Sequence, residues 1–62
     1  MDLFEEPVRW RKTLLGAGYV ATHQGRQLKL RMNDFPDEQL FTLFVDGTSV
    51  ADFDDWPSRW LR

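Results

Sequence analysis

The residue types that usually carry catalysis are sparse in this chain. It contains no cysteine and a single histidine, His23, which lies beside a predicted turn where an imidazole is normally solvated. Ser49 and Ser58 have no histidine near them in sequence, and a serine nucleophile needs a base within hydrogen-bonding distance. Gly16-Ala17-Gly18 lacks the third glycine and the preceding strand of a dinucleotide-binding loop. We therefore expect a protein that is not an enzyme and binds no cofactor.

Carboxylates are the one abundant reactive group. Three of them, Asp52, Asp54 and Asp55, lie close together near the C-terminal end. A second acidic group lies in a predicted loop and comprises Asp34, Asp37 and Glu38. Converging carboxylates bind Ca²⁺ or Mg²⁺, but the spacing here matches no calcium loop of the EF-hand type. We expect no metal site.

Aromatic side chains alternate with the C-terminal acids. Large rings inside a charged rim are typical of protein–protein interfaces. We therefore expect a docking surface for a basic partner protein, formed by Asp52, Phe53, Asp54, Trp56 and Trp60. The alternative is that Asp55 caps a final turn and the other two aspartates are merely solvated.

Basic residues form a second candidate site. Lys29 and Arg31 alternate with leucines and a methionine, which places them on the polar face of a predicted strand, with Arg26 at the adjoining turn. Bases beside aromatic rings on a sheet can hold single-stranded nucleic acid. The apolar neighbours of Lys29 and Arg31 lie on the opposite face, however, and the isoelectric point is about 5.1. Nucleic-acid binding through Arg26, Lys29 and Arg31 is therefore the second hypothesis.

The charges are separated along the chain, although the formal net charge is only −2. Every charged residue between Pro7 and Asn33 is basic, and every charged residue between Asp34 and Ser58 is acidic. One interpretation is a molecule with a positive and a negative side, which would steer encounters with charged partners. The other is that neighbouring strands set opposite charges across from one another.

The stretch from Gln27 to Phe53 shows the clearest local structure. Alternation predicts a strand over 28–32, and turn-forming residues predict a loop over 33–38. The apolar run over 40–45 predicts a central strand covered on both faces. Asp46-Gly47 predicts a tight hairpin. The register expected from it sets Val45 opposite Thr48, Leu43 opposite Val50, and Leu40 opposite Phe53.

The remaining segments predict a second hairpin, a helix and a turn. A hairpin tip at Gln24-Gly25 would set Ala21 opposite Leu28 and Tyr19 opposite Leu30. Residues 7–15 are interpreted as a helix ending at Gly16 or Gly18, because Pro7 suits a first helical position; a strand over 8–15 is the alternative. Residues 54–62 predict a turn that places Trp56 and Trp60 on one side.

We therefore expect one α+β domain over residues 1–62. It would be a small antiparallel three- to four-stranded β-meander with a short N-terminal helix and a C-terminal aromatic turn. A chain of 62 residues has a small core, and the two-sided apolar strand predicts a homodimer. No apolar run is long enough to span a membrane, and the start is acidic, so we expect a cytoplasmic protein without a membrane partner.

In size and charge the chain resembles small bacterial proteins, some of which act as immunity or antitoxin partners. The likeness lies in a tryptophan-bearing start, a curved meander and an aromatic, acidic end; it covers no defined motif and implies no residue roles. The leading functional hypothesis is a non-catalytic protein-interaction module, in an immunity- or antitoxin-like role towards a basic protein. The alternative is a nucleic-acid-binding module that uses the basic strand face.

Overall fold

The computed structural model describes residues 2–13 and 18–62. In this part of the chain, five strands form one antiparallel sheet in chain order, and each strand pairs with the next. A short 3₁₀ helix, Leu3–Glu5, precedes them. The strands are β1 (Arg11–Lys12), β2 (Gly18–His23), β3 (Arg26–Met32), β4 (Phe41–Val45) and β5 (Thr48–Phe53). The predicted antiparallel meander is confirmed, with more strands than the three or four expected.

The segment before β2 is extended, and the predicted N-terminal helix is wrong for its described part. Val8 and Trp10 are buried while Arg9 is exposed, which is the alternation of a strand. The backbone of this segment bonds to Leu61: Trp10 N–H donates to the Leu61 carbonyl and Leu61 N–H to the Val8 carbonyl, both at 2.8 Å. These bonds replace the local ones a helix would have made. The end of the predicted helix, including its proposed stop at Gly16, lies outside the described residues.

Both predicted hairpin tips are confirmed. Gln24 and Gly25 have φ of 52° and 78°, and Asp46 and Gly47 have φ of 50° and 86°. Two successive residues with positive φ form the type I′ turn that matches the twist of the flanking strands. The register between β2 and β3 is the predicted one, with Ala21 opposite Leu28 and Tyr19 opposite Leu30.

The register between β4 and β5 shifts by one residue beyond the hairpin. Val45 faces Thr48 as predicted, but Leu43 faces Ala51 and Phe41 faces Phe53, so the predicted pairs of Leu43 with Val50 and Leu40 with Phe53 are wrong. The reason is a bulge, in which Val50 has no partner on β4 and is 55% exposed. The bulge moves Phe53 onto the same face as Phe41.

The core lies on one face of the sheet, hereafter the inner face. Both ends of the chain pack over it, because Arg9 and Leu61 form a parallel bridge that joins the segment before β1 to the one after β5. The buried hydrophobic residues are Val8, Trp10, Ala21, Leu28, Leu30, Phe41, Leu43 and Trp60. The inner face is therefore closed by the chain termini instead of by a helix.

The C-terminal turn brings its two tryptophans together as predicted. The ring centroids of Trp56 and Trp60 are 5.5 Å apart, and Trp60 N–H donates to the Pro57 carbonyl at 3.1 Å. The carboxylate that binds backbone here is Asp54, which accepts from Leu40 N–H at 2.9 Å. Asp54 thereby links the end of β5 to the start of β4. Among the described residues, no helix has the length and apolar character to cross a membrane.

Candidate functional site

The structure separates the five predicted partner-binding residues. Trp60 is only 4% exposed, and its Nε1–H donates to the Leu3 carbonyl at 2.8 Å. Trp56 is half-buried beneath the guanidinium of Arg62, which lies 4.4 Å from the ring centroid. Asp52 lies on the opposite, outer face of the sheet, where it accepts from Thr42 Oγ1 at 2.7 Å. The other two predicted residues, Phe53 and Asp54, line one hollow together.

This hollow combines aromatic rings with carboxylates, and we call it the acidic hollow. It has a volume of about 470 Å³ and is lined by Phe4, Glu5, Gln39, Phe53, Asp54, Asp55, Pro57 and Ser58. The rings of Phe4 and Phe53 meet edge to face, with centroids 4.9 Å apart. Lysine and arginine combine a cationic end group with an apolar stem. The carboxylates of the hollow can bind the cationic end group, and its rings can pack against the apolar stem.

Sequence reasoning missed Phe4 and Glu5 in the acidic hollow because they come from the other end of the chain. Asp2 caps the 3₁₀ helix by accepting from Phe4 N–H at 3.0 Å, and this turn presents Phe4 and Glu5 beside β5. Stacking of Phe4 on Trp60, with centroids 5.5 Å apart, holds the turn in place. The capping aspartate is visible in the sequence, but its distant contact is not.

The three predicted nucleic-acid-binding residues divide between the two faces. Lys29 and Arg31 lie on the outer face, whereas Arg26 shares the inner-face register of Leu28 and Leu30 and is exposed at the hairpin end. The structure therefore brings Lys29 and Arg31 together but leaves Arg26 apart.

Lys29 and Arg31 have apolar companions on the outer face, contrary to the sequence-based expectation. Val20 and Phe44 flank Lys29 on the neighbouring strands, and Arg11 lies across from Val20. The guanidinium of Arg31 lies 5.4 Å from the Phe44 ring centroid. We call this surface the basic face; its residues are Arg11, Val20, Lys29, Arg31 and Phe44. A hollow of about 470 Å³ opens on it and is lined by Val20, Gln27, Leu28, Lys29, Arg31, Phe44 and Gly47.

A chain of hydrogen bonds fixes one end of the basic face. Arg31 Nε–H donates to Asn33 Oδ1 at 2.9 Å, and Asn33 Nδ2–H donates to Thr42 Oγ1 at 2.8 Å and to the Gln39 carbonyl at 2.9 Å. The Thr42 hydroxyl in turn donates to Asp52. Because Thr42 is only 4% exposed, this network holds Arg31 from beneath. The predicted cover on both faces of β4 is present on the inner face only, because no element of the described residues packs over the outer face. Self-association through this strand stays a prediction.

Opposite charges do not pair across the strands. Lys29 faces Val20 and Phe44, while Arg31 faces Gly18 and Thr42. Within residues 2–13 and 18–62, the one hydrogen bond between a basic and an acidic side chain joins His23 Nε2 to Glu6 Oε1 at 2.7 Å. In the same residues, no group of three or more histidine, cysteine or acidic side chains is arranged to hold a metal ion. Cross-strand ion pairs therefore do not explain the separation of charge along the sequence.

Comparisons with known proteins add no assignment. A scan against protein-family models, a search of curated proteins and a search of solved structures each find no match to the chain.

Proposed function

We propose that this chain is a non-catalytic protein-interaction module that docks a basic partner protein in the acidic hollow. An immunity- or antitoxin-like role towards a basic enzyme is the form of this function that we favour. The observation that carries the proposal is the pair of carboxylates of Glu5 and Asp55, which have no cationic partner among the described residues and border the rings of Phe4 and Phe53.

The two parts of the hollow contribute differently to binding. Exposed ion pairs add only about 0–1 kcal/mol each, so the carboxylates act mainly on the association rate and on partner choice. The rings provide apolar area for the stem of an inserted lysine or arginine, and buried aromatic contacts are typical interface hot spots. A basic side chain that enters the hollow would satisfy both parts.

Three residues of the predicted surface have other roles in this proposal. Trp60 supports the hollow from beneath, since its ring contacts Phe53 at a centroid distance of 5.6 Å. Trp56 packs against Trp60 and extends this support. Asp52 lies outside the hollow and stabilises the outer face through Thr42.

The proposal is tested by titrating isotope-labelled protein with a blocked peptide of consecutive arginines and following the backbone amide shifts. We expect the shifts to concentrate at residues 4–5, 39 and 53–58. The double variant Glu5→Gln with Asp55→Asn should weaken binding roughly tenfold at low salt, and the difference should shrink as salt rises. Neither side chain accepts a hydrogen bond from another described residue, so the variant should keep the parent melting temperature.

The matched control is Asp34→Asn with Asp37→Asn, which changes the net charge equally in the loop between β3 and β4. It should leave binding nearly unchanged. Equal weakening by both pairs, or shifts spread over all acidic residues, would show general charge attraction and overturn the proposal. Once a natural partner is purified, its affinity can be measured with the same two double variants.

A further inference from the structure

The basic face presents three cationic side chains. Arg11, Lys29 and Arg31 have no carboxylate within ion-pair distance among the described residues. They surround a half-buried valine and a half-buried phenylalanine, Val20 and Phe44. We propose that this face binds single-stranded nucleic acid, independently of the acidic hollow, with which its own hollow shares no lining residue.

The register of the sheet sets these groups in a row across the strands. Arg11 faces Val20, Val20 faces Lys29, and Lys29 faces Phe44. Adjacent strands lie about 4.7–4.9 Å apart, so the backbone positions of Arg11 and Lys29 are roughly 10 Å apart and Phe44 follows roughly 5 Å beyond. A single-stranded nucleic acid bound along this row would place phosphates beside Arg11 and Lys29 and a base beside the ring of Phe44.

Phe44 and Arg31 form the stacking part of the face. Bases of single strands stack on aromatic rings and on arginine planes, and this contact tolerates any base. Arg31 lies over the Phe44 ring, and Asn33 holds its Nε. An arginine that is already held loses less conformational freedom on binding. Its two terminal nitrogens can therefore donate hydrogen bonds to a phosphate or to the edge of a base.

Single-stranded nucleic acid fits this face better than an acidic peptide does. A peptide carboxylate would use the cations but would have no need of the half-exposed ring, whereas a nucleic acid carries both phosphates and flat bases. Acidic side chains beside the basic face also determine the direction in which a bound nucleic acid would run. Asp34 and Glu38 share a small hollow with Arg31 at its far side, where they would repel phosphates. The strand therefore runs over Lys29 and Arg11.

The test measures fluorescence anisotropy of a labelled oligothymidylate of about 15 nucleotides, a length that spans the site sizes of small single-strand-binding folds. Three phosphate contacts predict that log affinity falls with log salt at a slope of about −2, at about −0.7 per contact. Arg11→Glu with Lys29→Glu should abolish binding. Phe44→Ala should lower affinity about 5- to 150-fold, the equivalent of about 1–3 kcal/mol of stacking per base, and should keep the salt slope.

The matched control is Arg26→Glu with Arg59→Glu, which makes the same charge change at exposed positions off the basic face. It should keep most of the affinity, and amide shifts of the unmodified protein should map to residues 11, 20, 29, 31 and 44. The shift map also decides the question if a variant fails to fold: shifts elsewhere overturn the proposal.

Three further results would overturn it. The first is equal loss in the control pair. The second is an unaffected Phe44→Ala variant together with displacement of the oligonucleotide by polyglutamate, which would assign the face to an acidic peptide. The third is a dimer in sedimentation that Phe44→Ala dissociates, which would assign it to a second copy of the chain. The Glu5→Gln, Asp55→Asn variant should bind the oligonucleotide as tightly as the unmodified protein, because the two hollows share no lining residue. If the unmodified protein does not bind the oligonucleotide, the proposal for the acidic hollow is unaffected.

Discussion

The inner and outer faces of the sheet are built from the same strands, yet different forces hold their side chains. On the inner face, Leu30 and Leu43 are almost fully buried beneath the aromatic rings of both chain ends. On the outer face, a hydrogen-bonded series from Arg31 to Asp52 lies beside one half-exposed ring, Phe44. Burial of apolar area is the larger contribution to folding, whereas exchange of hydrogen bonds with water leaves a small net gain.

This difference separates stability from binding in a very small domain. The inner face contains nearly all the tightly packed residues, so substitutions there should affect folding first. The outer face leaves cations and a ring exposed at little cost to the fold, which suits a surface that meets a ligand. Substitutions on the two faces test that division.

The sharpest contrast lies in two adjacent residues of β3, Leu30 on the inner face and Lys29 on the outer. Leu30 is 0% exposed, and Leu30→Ala should cost about 2–5 kcal/mol, comparable with the whole stability of a domain this small. Lys29→Ala should change stability by less than about 0.5 kcal/mol. Urea unfolding followed by tryptophan fluorescence measures both. Similar costs at the two positions would contradict the division.

Gly18 lies on the outer face at a position where the backbone of the neighbouring strand leaves no room for a side chain. A Cβ there would lie 2.3 Å from the Leu30 carbonyl oxygen, and φ is +135°, so Gly18→Ala should cost about 3 kcal/mol. Gly47 also has positive φ, but nothing lies within 4 Å of its Cβ position. Gly47→Ala should therefore cost only about 1 kcal/mol in thermal melts. If Gly47→Ala proves the costlier of the two, the close approach of β2 to β3 does not determine the cost of a side chain at Gly18.

Local pairs of residues made the two hairpins predictable. Gln24-Gly25 and Asp46-Gly47 are residue pairs that favour a type I′ turn from their own conformational preferences. The N-terminal segment was misassigned because its backbone partner, Leu61, lies at the other end of the sequence. The bulge at Val50 was missed because no glycine marks it in the sequence, whereas the contact of Phe53 with Phe41 on the inner face requires the shifted register.

The candidate sites were predictable to a similar extent. Phe53 with Asp54, and Lys29 with Arg31, were expected to act together and do share a surface. Their companions come from other strands or from the chain start, as Phe44 and Glu5 illustrate. Alternation within one strand identifies which residues share a face, but not which neighbours the sheet places beside them.

Thr42 tests the hydrogen-bonded support of the outer face. Thr42→Val keeps the shape of the side chain but removes the hydroxyl that joins Asn33 to Asp52. Asn33 keeps its bond to the Gln39 carbonyl, and Asp52 is exposed to water, so the expected cost is about 1 kcal/mol. Calorimetry measures this cost, and side-chain relaxation of Arg31 should show increased motion. A cost as large as that of Leu30→Ala would mean that the outer face contributes to folding as strongly as the inner.

The smallest effect is expected inside the inner face itself, at Trp10. Its ring is 3% exposed, but its Nε1–H has no hydrogen-bond partner among the described residues, whereas Trp60 Nε1–H donates to the Leu3 carbonyl at 2.8 Å. Trp10→Phe removes an unsatisfied buried donor, which offsets about 1 kcal/mol of lost apolar contact, so stability should stay nearly unchanged. Trp60→Phe loses the same contact and also the hydrogen bond to the Leu3 carbonyl, which then keeps only its bond from Glu6 N–H, so this variant should cost about 1 kcal/mol more. Urea midpoints of the two variants give the comparison. Equal midpoints would show that the indole bond to Leu3 contributes nothing, and that packing alone closes the inner face.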